Sequence, residues 1–314
     1  MNSLDIYTKV YGCLCSDYYV WFKLMSPFRT IVRKLGNRFL PSYLKRYSES
    51  PRVYPNLLVS LTSYPARIND VWKVIECLKK QSVLPEKIIL WLSYDQFKNR
   101  SCIPEEVLQQ EDGLFEVRLV EEDIRSHKKY YYAFQQYPDW TTITCDDDVF
   151  YDTNMIKRLV ETSKLFPGCV VANHSTEISF GITGDVVSYA EWDNKEIPGL
   201  SRNRCQIGIG GVLYPPHSLD EMVMDKNAFM REAPYADDLW LNAMARLKHV
   251  PVIQASKKFL PLPVVGNSES LSDINNGENK NDEQLASIRA FIIKAKGVDI
   301  YTSSYSVGKR PKVF

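Results

Sequence analysis

The sequence predicts an α/β fold, a mostly parallel sheet with helices packed on its faces. Two patterns predict it. Short apolar runs alternate with amphipathic stretches from residue 57 to 150, as in strands joined by helical crossovers. One of these runs, 141–145, leads directly into Asp146, Asp147 and Asp148. Open α/β sheets bind ligands in the crevice outside the carboxyl ends of their strands.

The elements follow in order. Residues 57–61 are a continuous apolar run broken only by Ser60, a buried strand, and Thr62-Ser63-Tyr64-Pro65 is the turn after it. A helix starts near Asn69, with Val71, Val74, Ile75 and Leu78 on one face. Residues 87–92 form a second strand and 104–110 a short helix closed by Asp112-Gly113. In the third strand, 115–120, apolar Phe115, Val117 and Leu119 alternate with Glu116 and Arg118. A helix over 128–137 precedes the fourth strand, and a helix over 155–164 and a strand over 169–172 follow the aspartates. The chain is then irregular to about residue 205, where Gly208-Ile209-Gly210-Gly211 follows. Helices open at Asp237-Asp238 and over 284–294.

Length and composition fit a globular enzyme-sized chain: 314 residues, 45% hydrophobic, 25% charged and a net charge of +1. Nothing global points to nucleic acid, and no nucleic-acid-binding module is recognisable. Seven cysteines without zinc-type spacing suit a reducing cytoplasm. No apolar run reaches 18 residues, so a spanning helix is not expected. The charge is uneven. Residues 1–48 carry a local +6, leaving about −5 for the remainder, and they hold ten aromatic residues. Cations interleaved with aromatics suit the headgroup layer of an anionic membrane. The expectation is a peripheral protein on the inner face of the cell membrane. The domain plan is a basic aromatic segment over 1–52, a main domain over 53–295 and a tail over 296–314.

The three aspartates carry the chemistry. Adjacent carboxylates repel unless a cation neutralises them. Mg²⁺ or Mn²⁺, hard ions that favour carboxylate and phosphate oxygens, fit between Asp146 and Asp148. Asp237 and Asp238 open a helix, where the dipole favours negative charge and one carboxylate can cap free N–H groups. The other is then available as a general base. Lys128 and Lys129 start the helix before the aspartate strand, where a lysine can meet a diphosphate as a point charge. Three glycines in four residues let backbone approach a ligand closely.

Taken in order, these motifs resemble the nucleotide-sugar glycosyltransferases of the GT-A fold, and are most similar to bacterial enzymes building capsule or O-antigen polysaccharides. The ordered set is a first strand ending in Thr-Ser-Tyr-Pro-x-Arg, a lysine-bearing helix, a strand into Asp-x-Asp, a glycine stretch and an acidic pair opening a helix. It covers roughly residues 55–290. The resemblance implies a GT-A (Rossmann-like) domain moving a hexose from a UDP-sugar donor to a saccharide acceptor, lipid-linked in such pathways, with inversion. It implies Asp146 and Asp148 at the metal, with Asp146 and Asp147 also on the nucleotide. By position it makes Asp238 the base and Asp237 its neighbour. Thr62, Ser63, Tyr64 and Arg67 are implied at the nucleotide base, and Lys128 or Lys129 at the diphosphate. Gly210, Gly211, Trp192 and Trp240 are expected to frame the acceptor sugar, because aromatic faces pack against pyranose C–H surfaces.

Two other classes compete. Asp146-Asp147-Asp148-Val149 also satisfies the Asp-x-Asp-x-Val/Thr pattern of haloacid-dehalogenase-like phosphatases. Their nucleophile follows the first strand of its domain, however, whereas three strands come earlier here. A non-catalytic carbohydrate-binding protein needs neither acidic cluster.

Overall fold

The computed structural model describes residues 3–15, 19–44, 52–193, 199–255, 262–264 and 280–305. The rest of the basic N-terminal segment (1–2, 16–18, 45–51) and of the expected tail (306–314) lies outside the described residues.

Three helices come first: α1 (Ser3–Cys13), α2 (Tyr19–Leu24) and α3 (Ser26–Leu44). The alternating part runs β1 (Arg52–Thr62), α4 (Val71–Lys79), β2 (Val83–Ser93), α5 (Glu105–Leu108), β3 (Phe115–Val120), α6 (Lys128–Gln136) and β4 (Thr141–Thr144). There follow β5 (Val149–Phe150), α7 (Met155–Leu165), β6 (Val170–Ala172), β7 (Ser175–Glu177), β8 (Gly199–Ser201), β9 (Arg204–Gln206) and β10 (Val212–Tyr214). The last elements are α8 (Lys226–Glu232), α9 (Asp237–Leu247), β11 (Val252–Gln254), β12 (Leu262–Pro263) and α10 (Lys280–Lys296).

Eight strands form the central sheet in the order β3-β2-β1-β4-β10-β6-β11-β8. β1 is parallel to β2 and β4, β2 to β3, and β6 to β11; β10 and β8 run antiparallel to their neighbours. This is the expected mixed α/β, Rossmann-like architecture. The chain winds outward from β1 to β3 on one side and resumes at β4 on the other. The gap between the carboxyl ends of β1 and β4 is therefore a topological switch point, where such sheets leave a crevice.

Burial follows the strand period of two. Leu57, Val59 and Leu61 face the layer of α4 and α7, together with Val74, Ile75, Ile156 and Leu159. Leu58, Ile89 and Trp91 face the other side, against Ala133 of α6. A third cluster joins α8, α9 and α10 through Phe229, Trp240 and Ile288. β1 and β2 begin earlier than expected, pairing Arg52 with Val83, and their register shifts between Tyr54 and Leu58. Pro55 and the left-handed Asn56 (φ 53°) lie at that irregularity.

The N-terminal helices dock on this domain. Leu4 and Leu40 are fully buried, and the Asp5 carboxylate accepts from Thr153 N and Oγ1. Pro27 falls in the first turn of α3, where a missing N–H costs nothing, and Pro41 is accommodated within the helix. Part of the expected tail is also packed. Ile300 and Tyr301 are fully buried, and Ile300 O accepts from Arg246 Nε.

Candidate functional site

Three loops meet at the switch point. The first leaves β1 with Ser63 and Arg67, the second leaves β4 with the aspartates, and the third is the glycine turn entering β10. Antiparallel pairing of Val212 with Thr144 sets that turn beside the end of β4. Helices α6 and α9 bring Lys129 and the acidic pair Asp237-Asp238 to the same place.

The aspartates divide the work. Asp147 is buried, accepting from Ser63 Oγ at 2.6 Å and Arg67 Nη1 at 2.9 Å. Arg67 Nη1 also lies 2.8 Å from Asp148 Oδ2. Asp146 and Asp148 are each about 30% exposed. Tyr151 fixes the loop from behind, its phenolic oxygen accepting from Asp146 N at 2.9 Å. Burial, then the charge of Asp146, pushes the Asp148 carboxyl up to about 6.

Lys129 joins the two acidic constellations. Its buried ammonium lies 2.8 Å from Asp146 Oδ1 and 3.0 Å from Asp237 Oδ2. Burial opposes that charge, but Asp146, Asp237 and Asp238 together hold it well above the ordinary lysine value. The lysine is held by its own backbone, since Lys129 O accepts from Ser60 Oγ, which accepts from Trp91 Nε1 at 2.8 Å. His127 braces the same turn. Its Nε2 meets Ala233 O at 2.8 Å, so that nitrogen must be the donor, and Nδ1 accepts from Tyr130 at 2.9 Å. Burial lowers the imidazole to about 4 and keeps it neutral.

Neither aspartate of the pair caps α9. The N-cap is Ala236, and no side-chain capping bond is made. Asp237 turns to Lys129, and Asp238 Oδ2 accepts from Gly208 N at 2.8 Å. Burial drives the Asp237 carboxyl upward, yet Lys129 reverses this and leaves it below the usual range. Burial and the neighbouring Asp237 charge push Asp238 up to about 7, close to the value a general base needs. Gln206 fixes the backbone there, donating to Asp238 O at 3.2 Å.

The structure places the other expected site residues as follows. Thr62 donates its hydroxyl to Trp91 O at 2.8 Å, and Ser63 is committed to Asp147, so neither hydroxyl is directed at a nucleotide base. Arg67 braces the aspartate loop; Tyr64 is partly exposed beside its guanidinium. Lys128 is buried against Asp123, so Lys129 is the lysine of the pair that meets the site. Trp240 is fully buried and donates to Val223 O, and Trp192 is buried and donates to Val187 O. Enclosed rings offer no face to a sugar. A Cβ on Gly210 would meet His174 N at 2.7 Å, and one on Gly211 would meet Met155 Sδ at 3.0 Å. Both glycines are closely packed, and Gly211 takes a positive φ of 79°. Gly208 is the glycine at the site, where a Cβ would lie 3.1 Å from Asp238 Oδ1 and 3.2 Å from Lys129 Nζ.

Arg67 and Lys129 pair with four carboxylates, Asp146, Asp147, Asp148 and Asp237, and Asp238 stands beside them as a fifth. The formal excess of negative charge suits a divalent cation. Among the described residues no three His, Cys, Asp or Glu side chains form a metal cage. Asp146 and Asp148 offer two hard oxygen donors, which fits Mg²⁺ or Mn²⁺ completed by water and substrate phosphates.

No protein-family model matches the chain, and no curated protein does. Solved structures are similar to part of the chain. HddC from Yersinia pseudotuberculosis complexed with GMP-PN is 14% identical over 54% of this chain and 79% of its own, at a TM-score of 0.34. CMP:2-keto-3-deoxy-manno-octonic acid synthetase complexed with CTP is 8% identical over 65% of this chain and 88% of its own, at a TM-score of 0.38. None of these is named a glycosyltransferase, and likenesses of this size assign no function.

Proposed function

We propose that the chain is a metal-dependent glycosyltransferase that moves a hexose from a UDP-sugar to a hydroxyl of a saccharide acceptor, with inversion. The observation that carries this reading is the convergence of two carboxylate sets through Lys129. One set, Asp146 and Asp148, is partly exposed at the switch point and suits a metal–diphosphate. The other supplies Asp238, a carboxylate raised to about 7 and oriented by Gly208 N.

When bound, Mg²⁺ or Mn²⁺ supplies Lewis-acid stabilisation of the departing diphosphate. The chain's residues do the rest. Arg67 and Ser63 hold Asp147 and so keep Asp146 and Asp148 on the cleft side of the loop. Lys129 fixes the distance between that loop and the α9 terminus. Asp238 Oδ1, the oxygen not held by Gly208 N, takes the proton of the acceptor hydroxyl. The hydroxyl oxygen then forms its bond to the anomeric carbon as the carbon–oxygen bond to UDP breaks, and the electron pair leaves on the diphosphate.

The test is incubation with a panel of UDP-sugars, Mn²⁺ and short saccharide acceptors. Acceptor-dependent UDP release with a glycosylated product supports the reading. Orthophosphate release from phosphate esters supports the phosphatase class instead, and sugar binding without turnover supports a carbohydrate-binding protein.

A further inference from the structure

Helix α3 has two faces. The inner one is closely packed: a Cβ on Gly36 would meet Leu262 Cδ2 at 2.7 Å, Leu40 is fully buried, and Asn37 Nδ2 donates to Pro263 O at 3.0 Å. The outer one is apolar and uncovered. Phe28, Ile31, Leu35 and Phe39 recur three or four residues apart and are 41% to 55% exposed. Leu24 and Trp21 of α2 extend the exposed apolar surface. Among the described residues these apolar side chains join no core cluster, and contiguous exposed patches of this kind mark interaction surfaces.

Charge decides the occupant. Within the described parts of α1 to α3, six cations stand against Asp5 alone, and Asp5 is bonded inward to Thr153. Lys34 and Arg38 flank the α3 stripe on its exposed side. A second copy of the chain would set two positive segments face to face. An anionic bilayer meets both needs, with acyl chains for the stripe and headgroups for the cations. No described helix is long and apolar enough to cross a membrane.

We propose that α1 to α3 form an interfacial docking face for an anionic lipid bilayer, braced against the aspartate loop. The brace is short. Asn37 binds Pro263 O, β12 pairs with β5 immediately after the aspartates, and Val264 N donates to Asp148 O at 2.8 Å. Docking therefore sets the aspartate loop at a fixed distance from the lipid surface.

Vesicle co-sedimentation of the full chain, without donor or acceptor, tests this independently of any transfer activity. Vesicles of phosphatidylglycerol and phosphatidylcholine should retain the protein at low salt and release it as salt rises, whereas pure phosphatidylcholine should retain little. Lys34→Gln with Arg38→Gln should weaken anionic binding about fivefold per cation. Phe28→Ser with Phe39→Ser should lower it more than tenfold while leaving circular dichroism unchanged. Protein that stays in the supernatant with anionic vesicles at low salt overturns the proposal. A dimer in light scattering that Phe28→Ser with Phe39→Ser dissociates also overturns it, and makes the face a self-association surface.

Discussion

Lys129 Nζ lies 3.0 Å from Asp237 Oδ2 on α9 while also meeting Asp146 beyond β4, 2.8 Å away. One buried ammonium thus sets the spacing between the carboxylates that suit a metal and those that suit a base. Removing one partner of a buried ion pair leaves the others uncompensated, which costs about 3–5 kcal/mol. Lys129→Met should therefore lower stability and abolish turnover. Lys129→Arg keeps the charge and should retain the fold by circular dichroism. With its bulkier head in the same space, it should still lose most activity.

Asp238→Asn should reduce kcat by roughly 10²–10⁴-fold, the usual contribution of a general base, with UDP affinity little changed. The asparagine oxygen can still accept from Gly208 N, so the backbone stays in place. Asp237→Asn acts through Lys129, and its loss of activity should come with weakened nucleotide binding. Steady-state kinetics and calorimetry on the two variants separate the roles. An active Asp238→Asn beside a dead Asp237→Asn reverses them.

Asp148→Asn removes one of the two partly exposed carboxylates while Arg67 still holds Asp147. Mn²⁺-dependent UDP affinity should fall at least tenfold, and metal-free affinity should not change. Calorimetry with and without Mn²⁺ checks this. Equal Mn²⁺-dependent affinity in the variant and the wild type rules Asp148 out as a ligand.

Gly208→Ala and Gly210→Ala should fail differently. At 208 the new methyl presses on two side-chain ends, Asp238 Oδ1 at 3.1 Å and Lys129 Nζ at 3.2 Å. The fold should survive with activity down at least tenfold. At 210 the methyl meets the His174 backbone at 2.7 Å, where little can move, and the melting temperature should fall instead. Paired melting and rate measurements decide between site and scaffold.

The alternating elements from β1 to β4 were legible in sequence because both periods are strong there: buried strands read as apolar runs, and α4 shows Val71, Val74, Ile75 and Leu78 on one face. The aspartates were legible because a polar cluster must end an apolar strand. Finer assignments within the site were not. Lys128 and Lys129 are adjacent and chemically equal, and only the fold turns one toward Asp123 and the other toward Asp146. Trp192 and Trp240 are suited to sugar stacking or to a core, and their burial is a tertiary property that no local pattern carries. Gly208, Gly210 and Gly211 form one run in sequence. Their separate neighbours arise from the antiparallel insertion of β10 between β4 and β6, which a local reading of the chain does not reveal.

The pH dependence of stability gives the last prediction. Asp238 in the folded chain is raised to about 7, whereas an unfolded aspartate titrates near 3.9. Between those values the folded state binds a proton that the unfolded state has released. The stabilisation is fully present below about pH 4 and is lost as pH rises through 7. His127 acts in the opposite sense. Lowered to about 4, it destabilises the fold in acid, and that effect fades as pH rises to about 6.5. The useful quantity is therefore the difference between the wild type and Asp238→Asn, in which the His127 contribution cancels. By urea unfolding at pH 5 and pH 8, the variant should gain on the wild type by on the order of 1–3 kcal/mol at the higher pH. A constant difference across that range means that Asp238 does not change its ionisation between pH 5 and pH 8, and its assignment as a base poised near neutral pH then fails.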